Sequence, residues 1–391
     1  MRIVHADTFT VYPLGLAGGH RVNHALLQRL AALPGVECAV VAPHSAIGAP
    51  TPEYCPRLTD FAALGIREFR QADGRWRFDC GYPIWVVDEL EAELAVLLDD
   101  RRPTVLFTSS AEPEPLVRLA RARGVPTVCY VQDVRFRPAA ARAVLAAGGR
   151  VLVCSRFMAR WLARESGVEA EVLYPPVPEL EYRVERPAAG VVTFINPVPA
   201  KGLEVFLEIA AALPEERFLV VESWSLKEDF ERVRTLLAAF TNVRFLPRQA
   251  DVRQVYAETE LLLVPSKIEE SAGRVVVEAQ WSGIPVLVSG RGGLPEMVGD
   301  GGLVIDDYLS AGAWVEAVRG LRRDPGALAA LAGKARHNAG RPEFSPERAV
   351  ARLHAICREA LDGVAAGASA RGGEQLPGPA GVGPGPGTRA R

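Results

Sequence analysis

PSKIEESAGRVVVEAQWSGIPVLVSGRGG, residues 265–293, decides the fold class of this 391-residue chain. The preceding apolar residues run into it as LLLVPS (261–266), a short stretch closed by Pro265 that reads as a buried strand. A polar loop, KIEESAG, follows. RVVVEAQWSG then reads as one short helix stopped by Gly283, a residue suited to the left-handed position after a helix. IPVLVS is the next strand, so the unit is strand–loop–helix–strand, a parallel crossover. In open sheets of that kind ligands gather at the carboxyl ends of the strands. The loop therefore lies where a ligand would. The amides from Gly273 to Val275 open the helix, and unpaired donors with a partial positive charge favour phosphate there.

Two glutamates flank that helix start. Glu270 precedes it in the loop, and Glu278 lies about a turn inside it among Val275, Val276, Val277 and Ala279, where a surface role is less natural. A carboxylate accepts two hydrogen bonds from a vicinal diol, and hydrogen bonds to charged groups contribute roughly 1.5–3 kcal/mol each. A ribose and a hexose would give each glutamate a partner, as in a nucleotide sugar. Solvated acidic residues near a helix N-terminus are the plain alternative.

Length and composition agree with two sheet domains. The chain is too long for one ordinary core, and two domains of about 150–190 residues are expected. A formal charge of −2 argues against a nucleic-acid binder held by electrostatics. MRIVHADTF reads as a first strand rather than a leader, and no apolar run approaches the roughly 18–20 residues of a spanning helix. Cys38, Cys55, Cys80, Cys129, Cys154 and Cys357 are scattered without a C-x-x-C pair, so buried thiols and a cytoplasmic location are expected.

The amino-terminal half opens RIVHAD, TFTVYPLGLAGG, HRVNHALLQRLAAL, ECAVVAP: strand, loop, helix, strand. Gly18 and Gly19 at the turn into the helix allow close approach of backbone to an anion, although the pattern is not G-x-G-x-x-G and a plain tight turn gives the same residues. Residues 50–85 carry aromatics and charges without a clean period, which suggests a variable insertion or short strands. Strand and helix then alternate, which predicts a doubly wound parallel sheet. The proline-rich YPPVP after residue 173 marks the domain boundary. The expected units are residues 1–178, residues 188–345, a last helix over 346–362, and a disordered Gly/Pro/Ala tail over 363–391.

Glu-x7-Glu between a strand ending in Pro-Ser and a Gly-x-Pro-Val strand resembles the retaining glycosyltransferases of family four. VVTFINPVPAKG (191–202), NVRFLPRQADVRQVYAETELLLVPS (242–266) and GGLPEMVGDGGLVID (292–306) extend the resemblance. It implies the GT-B fold: two Rossmann-like, doubly wound parallel-sheet domains facing a central cleft, the last helix crossing back to the first domain. By the same resemblance Lys201 would neutralise the donor diphosphate and Glu270 would contact the donor sugar. Glu278 would hold the ribose, and Gly273, Val275 and Val276 would supply amides to the phosphates. Residues around Arg248 would border the base, and Gly18 and Gly19 would close over the phosphates. Many relatives carry Gly-Arg where this chain has Asn196-Pro197, and Arg274 is the candidate replacement cation; a solvent-facing helix arginine is the alternative. Relatives often have His-Asp where Gln132-Asp133 stand, so the resemblance makes Gln132 and Asp133 acceptor-side candidates, with Gln132 in the place of the histidine; Asp133 could instead cap a helix.

Other features compete for function. His20 and His24 lie four apart on a helix face, a zinc-compatible spacing without a third ligand cluster. His20 near the cleft, reaching a phosphate or an acceptor hydroxyl, is the alternative to a surface histidine. Arg156, Arg160 and Arg164, with Arg135, Arg137, Arg142 and Arg150 nearby, form a basic region that could touch anionic lipid weakly, or simply face solvent. No Asp-x-Asp occurs, so no metal cofactor is expected, the donor being a nucleoside diphosphate sugar and the acceptor unknown. A nucleotide-sugar epimerase of the same fold and a non-catalytic nucleotide-sugar binder are the rival readings. A nicotinamide-linked oxidoreductase is disfavoured by the missing glycine fingerprint.

Overall fold

The computed structural model describes residues 1–14, 17–44, 65–72, 75–99, 104–185, 190–223, 227–249 and 251–372. The first domain runs β1 (Arg2–Ala6), α1 (Gly18–Ala31), β2 (Glu37–Pro43), β3 (Glu68–Ala72), β4 (Arg75–Asp79), β5 (Pro83–Val87), α2 (Leu90–Leu98) and β6 (Thr104–Thr108). It continues α3 (Glu114–Arg121), β7 (Thr127–Val131), α4 (Pro138–Ala146), β8 (Arg150–Val153), α5 (Arg156–Ser166) and β9 (Glu171–Val172). These strands form one nine-stranded sheet in the order β3-β4-β5-β2-β1-β6-β7-β8-β9. Strands covered on both faces must be apolar throughout, and β6 (TVLFT) and β7 (TVCYV) are buried at every residue.

A short helix, α6 (Glu179–Tyr182), leads into the second domain. There β10 (Val191–Ile195), α7 (Leu203–Ala212), β11 (Arg217–Val221), α8 (Lys227–Leu237), β12 (Val243–Leu246), α9 (Arg253–Glu258) and β13 (Thr259–Val264) are followed by α10 (Arg274–Gln280). Then come β14 (Val286–Ser289), α11 (Leu294–Val298), β15 (Gly302–Ile305), α12 (Ala311–Arg323) and α13 (Pro325–Ala339). Six parallel strands lie in the order β12-β11-β10-β13-β14-β15. The chain direction across the sheet reverses between β10 and β13, which opens a crevice at their carboxyl ends. The last helix, α14 (Pro346–Gly372), returns to pack on α1, β6 and β7 of the first domain. Leu353, Ile356 and Cys357 of α14 share one buried apolar cluster with Tyr174, Tyr182 and Val276, so both domains and the linker are packed together.

Within residues 50–85 the short strands offered as one reading are present, β3 antiparallel to β4 and β4 antiparallel to β5, so the first sheet is mixed where a parallel one is expected. The period was there to see in RWRFD, whose Trp76 and Phe78 are buried while charged residues alternate with them; residues 45–64 lie outside the described ones. Helix α13 was not anticipated, although Asp324 and Pro325 carry its signal: the Asp324 carboxylate accepts the Ala327 amide at 2.9 Å and proline occupies the first turn. Helix α14 runs to Gly372 rather than ending at 362, because the alanines of GVAAGASA favour helix despite the glycines. Of the expected tail, residues 373–391 lie outside the described ones. Among the described residues no helix is long and apolar enough to cross a membrane. Cys38, Cys80, Cys129, Cys154 and Cys357 are free and buried.

Candidate functional site

The loops after β10 and β13 meet at the crevice of the second sheet. Beyond β10, Asn196 takes a φ of 68°, a left-handed conformation that a residue before proline seldom adopts and that asparagine tolerates better than most. Its side chain is 4 % exposed, and neither Oδ1 nor Nδ2 has a partner. One 3-10 turn, Pro199–Lys201, then ends at Gly202 with φ 88°. A Cβ at Gly202 would stand 2.0 Å from the Pro265 carbonyl oxygen, so only glycine lets this turn lie against the end of β13. The contact is sealed by the Lys267 amide donating to the Ala200 carbonyl at 3.0 Å.

This approach brings Lys201 to Glu270, sixty-nine positions away in sequence. Lys201 Nζ donates to Glu270 Oε1, which also accepts from Ser266 Oγ at 2.5 Å. The lysine and glutamate side chains are 18 % and 14 % exposed, at the crevice wall rather than in bulk solvent. Gly292 and Gly293 support the loop from below. The Gly293 amide donates to the Glu270 carbonyl at 2.6 Å, and a Cβ at Gly292 would come within 2.3 Å of that same oxygen.

Gly273, also left-handed, precedes α10. The Val276 amide donates to the Gly273 carbonyl at 3.1 Å. It therefore closes the first turn, and the expected set of ligand-facing amides shrinks to those of Gly273, Arg274 and Val275. Glu278, 16 % exposed, lies 3.2 Å from Arg274 Nη2 through Oε1 and accepts the Tyr256 hydroxyl at 3.3 Å through Oε2. Arg274 does not face solvent. Nη1 donates to the Gly18 carbonyl at 3.2 Å and Nη2 to the Tyr182 hydroxyl at 2.8 Å, so its guanidinium clasps the first residues of α1, where a turn is expected, to the second domain. Neither Tyr182 nor Tyr256 was foreseen, since no local pattern links them to α10. Arg274→Ala is expected to lower stability by about 3–5 kcal/mol, because it leaves Glu278 as a buried charge without its cation. A urea midpoint close to wild type would contradict that burden on the clasp.

On the first-domain side, Gln132 packs against the turn: its Oε1 lies 2.6 Å from where a Cβ on Gly19 would stand, while Gly18 has open space there. Gln132 Nε2 donates to Asn23 Oδ1 at 2.7 Å. Asp133 caps a tight turn rather than a helix, accepting the Arg135 amide at 2.9 Å and pairing with its guanidinium at 2.7 Å. His20 Nδ1 is buried without a partner, and burial followed by the charge of Arg135 pushes its pKa down to about 4. His24 is taken up elsewhere, its Nδ1 2.7 Å from the Tyr82 hydroxyl and its ring stacked on Tyr12. Among the described residues no three His, Cys, Asp or Glu side chains group as metal ligands. Arg248 is exposed beyond the edge strand β12, its amide held by Glu222 at 3.1 Å. Thus Lys201 meets Glu270, Arg274 meets Glu278 and reaches Gly18 of the first domain, and Asn196, Gly273 and Val275 sit on the same loops, while Gln132 lies against Gly19, His20 is buried in the first domain and Asp133 pairs with Arg135.

A second bridge between the domains went unseen in the sequence. Glu296 of α11 accepts the backbone amides of Arg156 and Phe157 at 2.8 and 3.0 Å, and so caps α5 of the other domain. It also accepts the Tyr174 hydroxyl at 2.5 Å, and Ser155 Oγ donates to the Ser271 carbonyl at 2.5 Å. The basic region around α5 is partly neutralised: Arg135, Arg137 and Arg164 pair with Asp133, Glu114 and Glu165, and Arg142 donates to the Ser166 carbonyl.

Comparison with known proteins follows the same division of the chain. Residues 191–338 match the family described as Glycosyl transferases group 1, and residues 16–180 match Glycosyltransferase Family 4. A D-inositol 3-phosphate glycosyltransferase of Rhodococcus jostii is 37 % identical over 169 residues, 39 % of this chain and 37 % of that protein. One of the same name from Mycobacterium bovis is 32 % identical over 229 residues, 54 % of this chain and 46 % of that protein. The match thus spans less than half the length of these curated relatives. Among solved structures, Anabaena HepE in complex with UDP and glucose superposes with a TM-score of 0.71 at 15 % identity, covering 92 % of this chain and 100 % of that one. A glycosyltransferase from Rickettsia africae gives 0.71 at 14 %, covering 92 % and 98 %. At that identity the likeness concerns the fold, which is that of the GT-B glycosyltransferases.

Proposed function

The chain belongs to the family-4 glycosyltransferases, and on that premise we propose that it transfers a glycosyl group from a nucleoside diphosphate sugar to an acceptor nucleophile with retention of anomeric configuration. The observation that carries this reading is the Lys201–Glu270–Ser266 cluster at the crevice between β10 and β13. The donor diphosphate lies across that crevice. Lys201 neutralises the leaving group, and the amides that open α10 add donors beside it. Asn196 stands where many relatives carry the Gly-Arg pair, and its buried, unpartnered amide offers a neutral donor to the same phosphates. Arg274 contributes charge from the start of α10 while its hydrogen bonds keep the Gly18 turn in place. Glu270 takes hydroxyls of the donor sugar through Oε2, since Oε1 already accepts from Lys201 and Ser266, and Glu278 takes those of the ribose, each of its oxygens having a lone pair beyond its present partner.

Catalysis is mainly electrostatic. Cations and oriented amides stabilise the charge growing on the departing diphosphate, and packing of the two domains over the crevice excludes water. The diphosphate oxygen takes the acceptor's proton, so no side-chain base is required, and no divalent metal is required for the clamp. The buried thiols suit a reducing, cytoplasmic setting. A sugar hydroxyl of a small molecule or of a cell-envelope glycan fits the acceptor role; the D-inositol 3-phosphate named for the curated relatives is one member of the first class.

Calorimetric titration with UDP-, GDP- and dTDP-sugars tests the proposal. At least one donor is expected to bind, and its affinity should persist in chelator. Loss of binding in chelator overturns the metal-free clamp, and absence of binding by every donor overturns the donor reading itself.

A further inference from the structure

A chain of buried polar groups in the first domain has no part in the function so far described. Asp7 follows β1 and is buried. Its Oδ1 accepts the Phe9 amide at 2.8 Å, and its Oδ2 accepts the Ser109 hydroxyl at 3.3 Å. Ser109 Oγ in turn accepts from Asn23 Nδ2 at 2.6 Å, and Asn23 Oδ1 accepts from Gln132 Nε2 at 2.7 Å. Three sequence-distant elements, the ends of β1, β6 and β7, are thereby tied to α1.

The direction of this chain is set from one end. An ionised carboxylate can only accept, whereas a hydroxyl and a carboxamide can each present either polarity. At neutral pH and above, where Asp7 is ionised and only accepts, Ser109 must give it the hydroxyl proton, and its oxygen is left to accept. Asn23 must then turn its NH2 toward Ser109, which leaves its carbonyl for Gln132. Gln132 must turn its own NH2 toward Asn23. Its carbonyl oxygen is what remains, and that atom lies against Gly19, next to the Gly18 carbonyl that Arg274 reaches from the second domain.

We propose that Asp7 is a positioning residue: through Ser109 and Asn23 it fixes the polarity of the Gln132 amide, so that the interdomain cleft presents a carbonyl oxygen to a ligand hydroxyl. A free Gln132 amide could flip and offer NH2 instead, which would favour a ligand oxygen lacking a proton. With the chain intact, the site prefers a hydroxyl at that point of the donor sugar or of the acceptor. The ligand half of the inference rests on the proposed glycosyl transfer; the polarity half does not.

The test therefore has two readouts. The first is hydrogen exchange of the Gln132 and Asn23 side-chain NH2 groups by NMR in the ligand-free protein, assigned with Gln132→Glu. Slow exchange is expected in the wild type. Exchange should speed by about tenfold or more in Asp7→Asn, which can donate to Ser109 and so permits the reverse polarity, and in Ser109→Ala, which breaks the chain without touching the carboxylate. Wild-type exchange in both variants overturns the proposal. The second readout is affinity for UDP-glucose and, separately, for D-inositol 3-phosphate in the presence of UDP. A loss of about tenfold for one probe in both Asp7→Asn and Gln132→Leu, with UDP alone bound as by wild type, assigns the hydroxyl to donor or acceptor. If Gln132→Leu weakens a probe and Asp7→Asn does not, Asp7 does not set the polarity. If neither variant weakens a probe that the wild type binds, the carbonyl does not meet a ligand hydroxyl. Failure of the wild type to bind any donor counts against the glycosyl-transfer reading and leaves the exchange result to decide the polarity.

Discussion

Lys201→Ala is expected to lower turnover by ~10²-fold or more, the range seen when one donor to a developing oxyanion is removed. The backbone around the residue explains the size of the effect. The turn Pro199–Lys201 is pressed against the end of β13 by Gly202, so the lysine is delivered to one place by the sheet itself. With its side chain only 18 % exposed, its charge acts through a medium far less screening than water. Removing it has a second consequence: Glu270 is left as a mostly buried carboxylate with Ser266 as its remaining side-chain donor. Part of any lost activity could then come from a disturbed loop. Adding Glu270→Gln removes the uncompensated charge and should restore much of the urea midpoint without returning turnover to the level of Glu270→Gln alone. If Lys201→Ala turns over at a near-normal rate, the lysine is not at the leaving group.

The segment from 265 to 293 was legible because every signal in it is local. An apolar run ended by proline, a glycine before a helix and a glycine after it give strand, loop and helix within thirty positions, and the two glutamates inherit their placement from that order. Lys201 beside Glu270 was legible only through the family resemblance. The Tyr256 hydroxyl on Glu278 and the Tyr182 hydroxyl on Arg274 were not legible, since nothing in the spacing of a tyrosine discloses which helix it will meet. Gln132 and Asp133 show the same divide: adjacent in sequence, they point to different surroundings, one into the Asn23 chain and one into a surface turn. The Glu296 contacts on α5 are the extreme case: Ser155 caps the helix locally by accepting the Met158 amide at 3.1 Å, as its sequence position allows, but the acceptor for the Arg156 and Phe157 amides comes from another domain.

The second large effect concerns acid. His5, His20 and His24 all have pKa values pushed down to about 4, in each case chiefly by burial. His5 Nδ1 is held at 3.1 Å by the Phe107 carbonyl, His20 feels Arg135, and His24 feels Arg21 and Arg29. In the unfolded chain the same imidazoles take up protons near pH 6.5. Between pH 6.5 and 4 the unfolded state therefore binds more protons than the folded one, and stability falls as pH falls. Each histidine contributes of order 3 kcal/mol to that loss. Asp7 works the other way. Burial raises its pKa from 3.8 to about 6, so across nearly the same window the folded state holds a proton that the unfolded state lacks, offsetting roughly one histidine. The remainder, of order 7 kcal/mol, is comparable to the whole stability of an ordinary domain. The protein is thus expected to lose much of its stability on going from pH 7 to about 4.5, before most carboxylates have titrated. Urea midpoints followed by tryptophan fluorescence at half-unit steps of pH should fall steeply over that interval. His24→Phe, which keeps the stack on Tyr12 and cannot charge, should flatten the slope by about one proton. A midpoint that stays level from pH 7 to 5 would mean that these imidazoles gain protons in the folded protein as readily as in the unfolded chain.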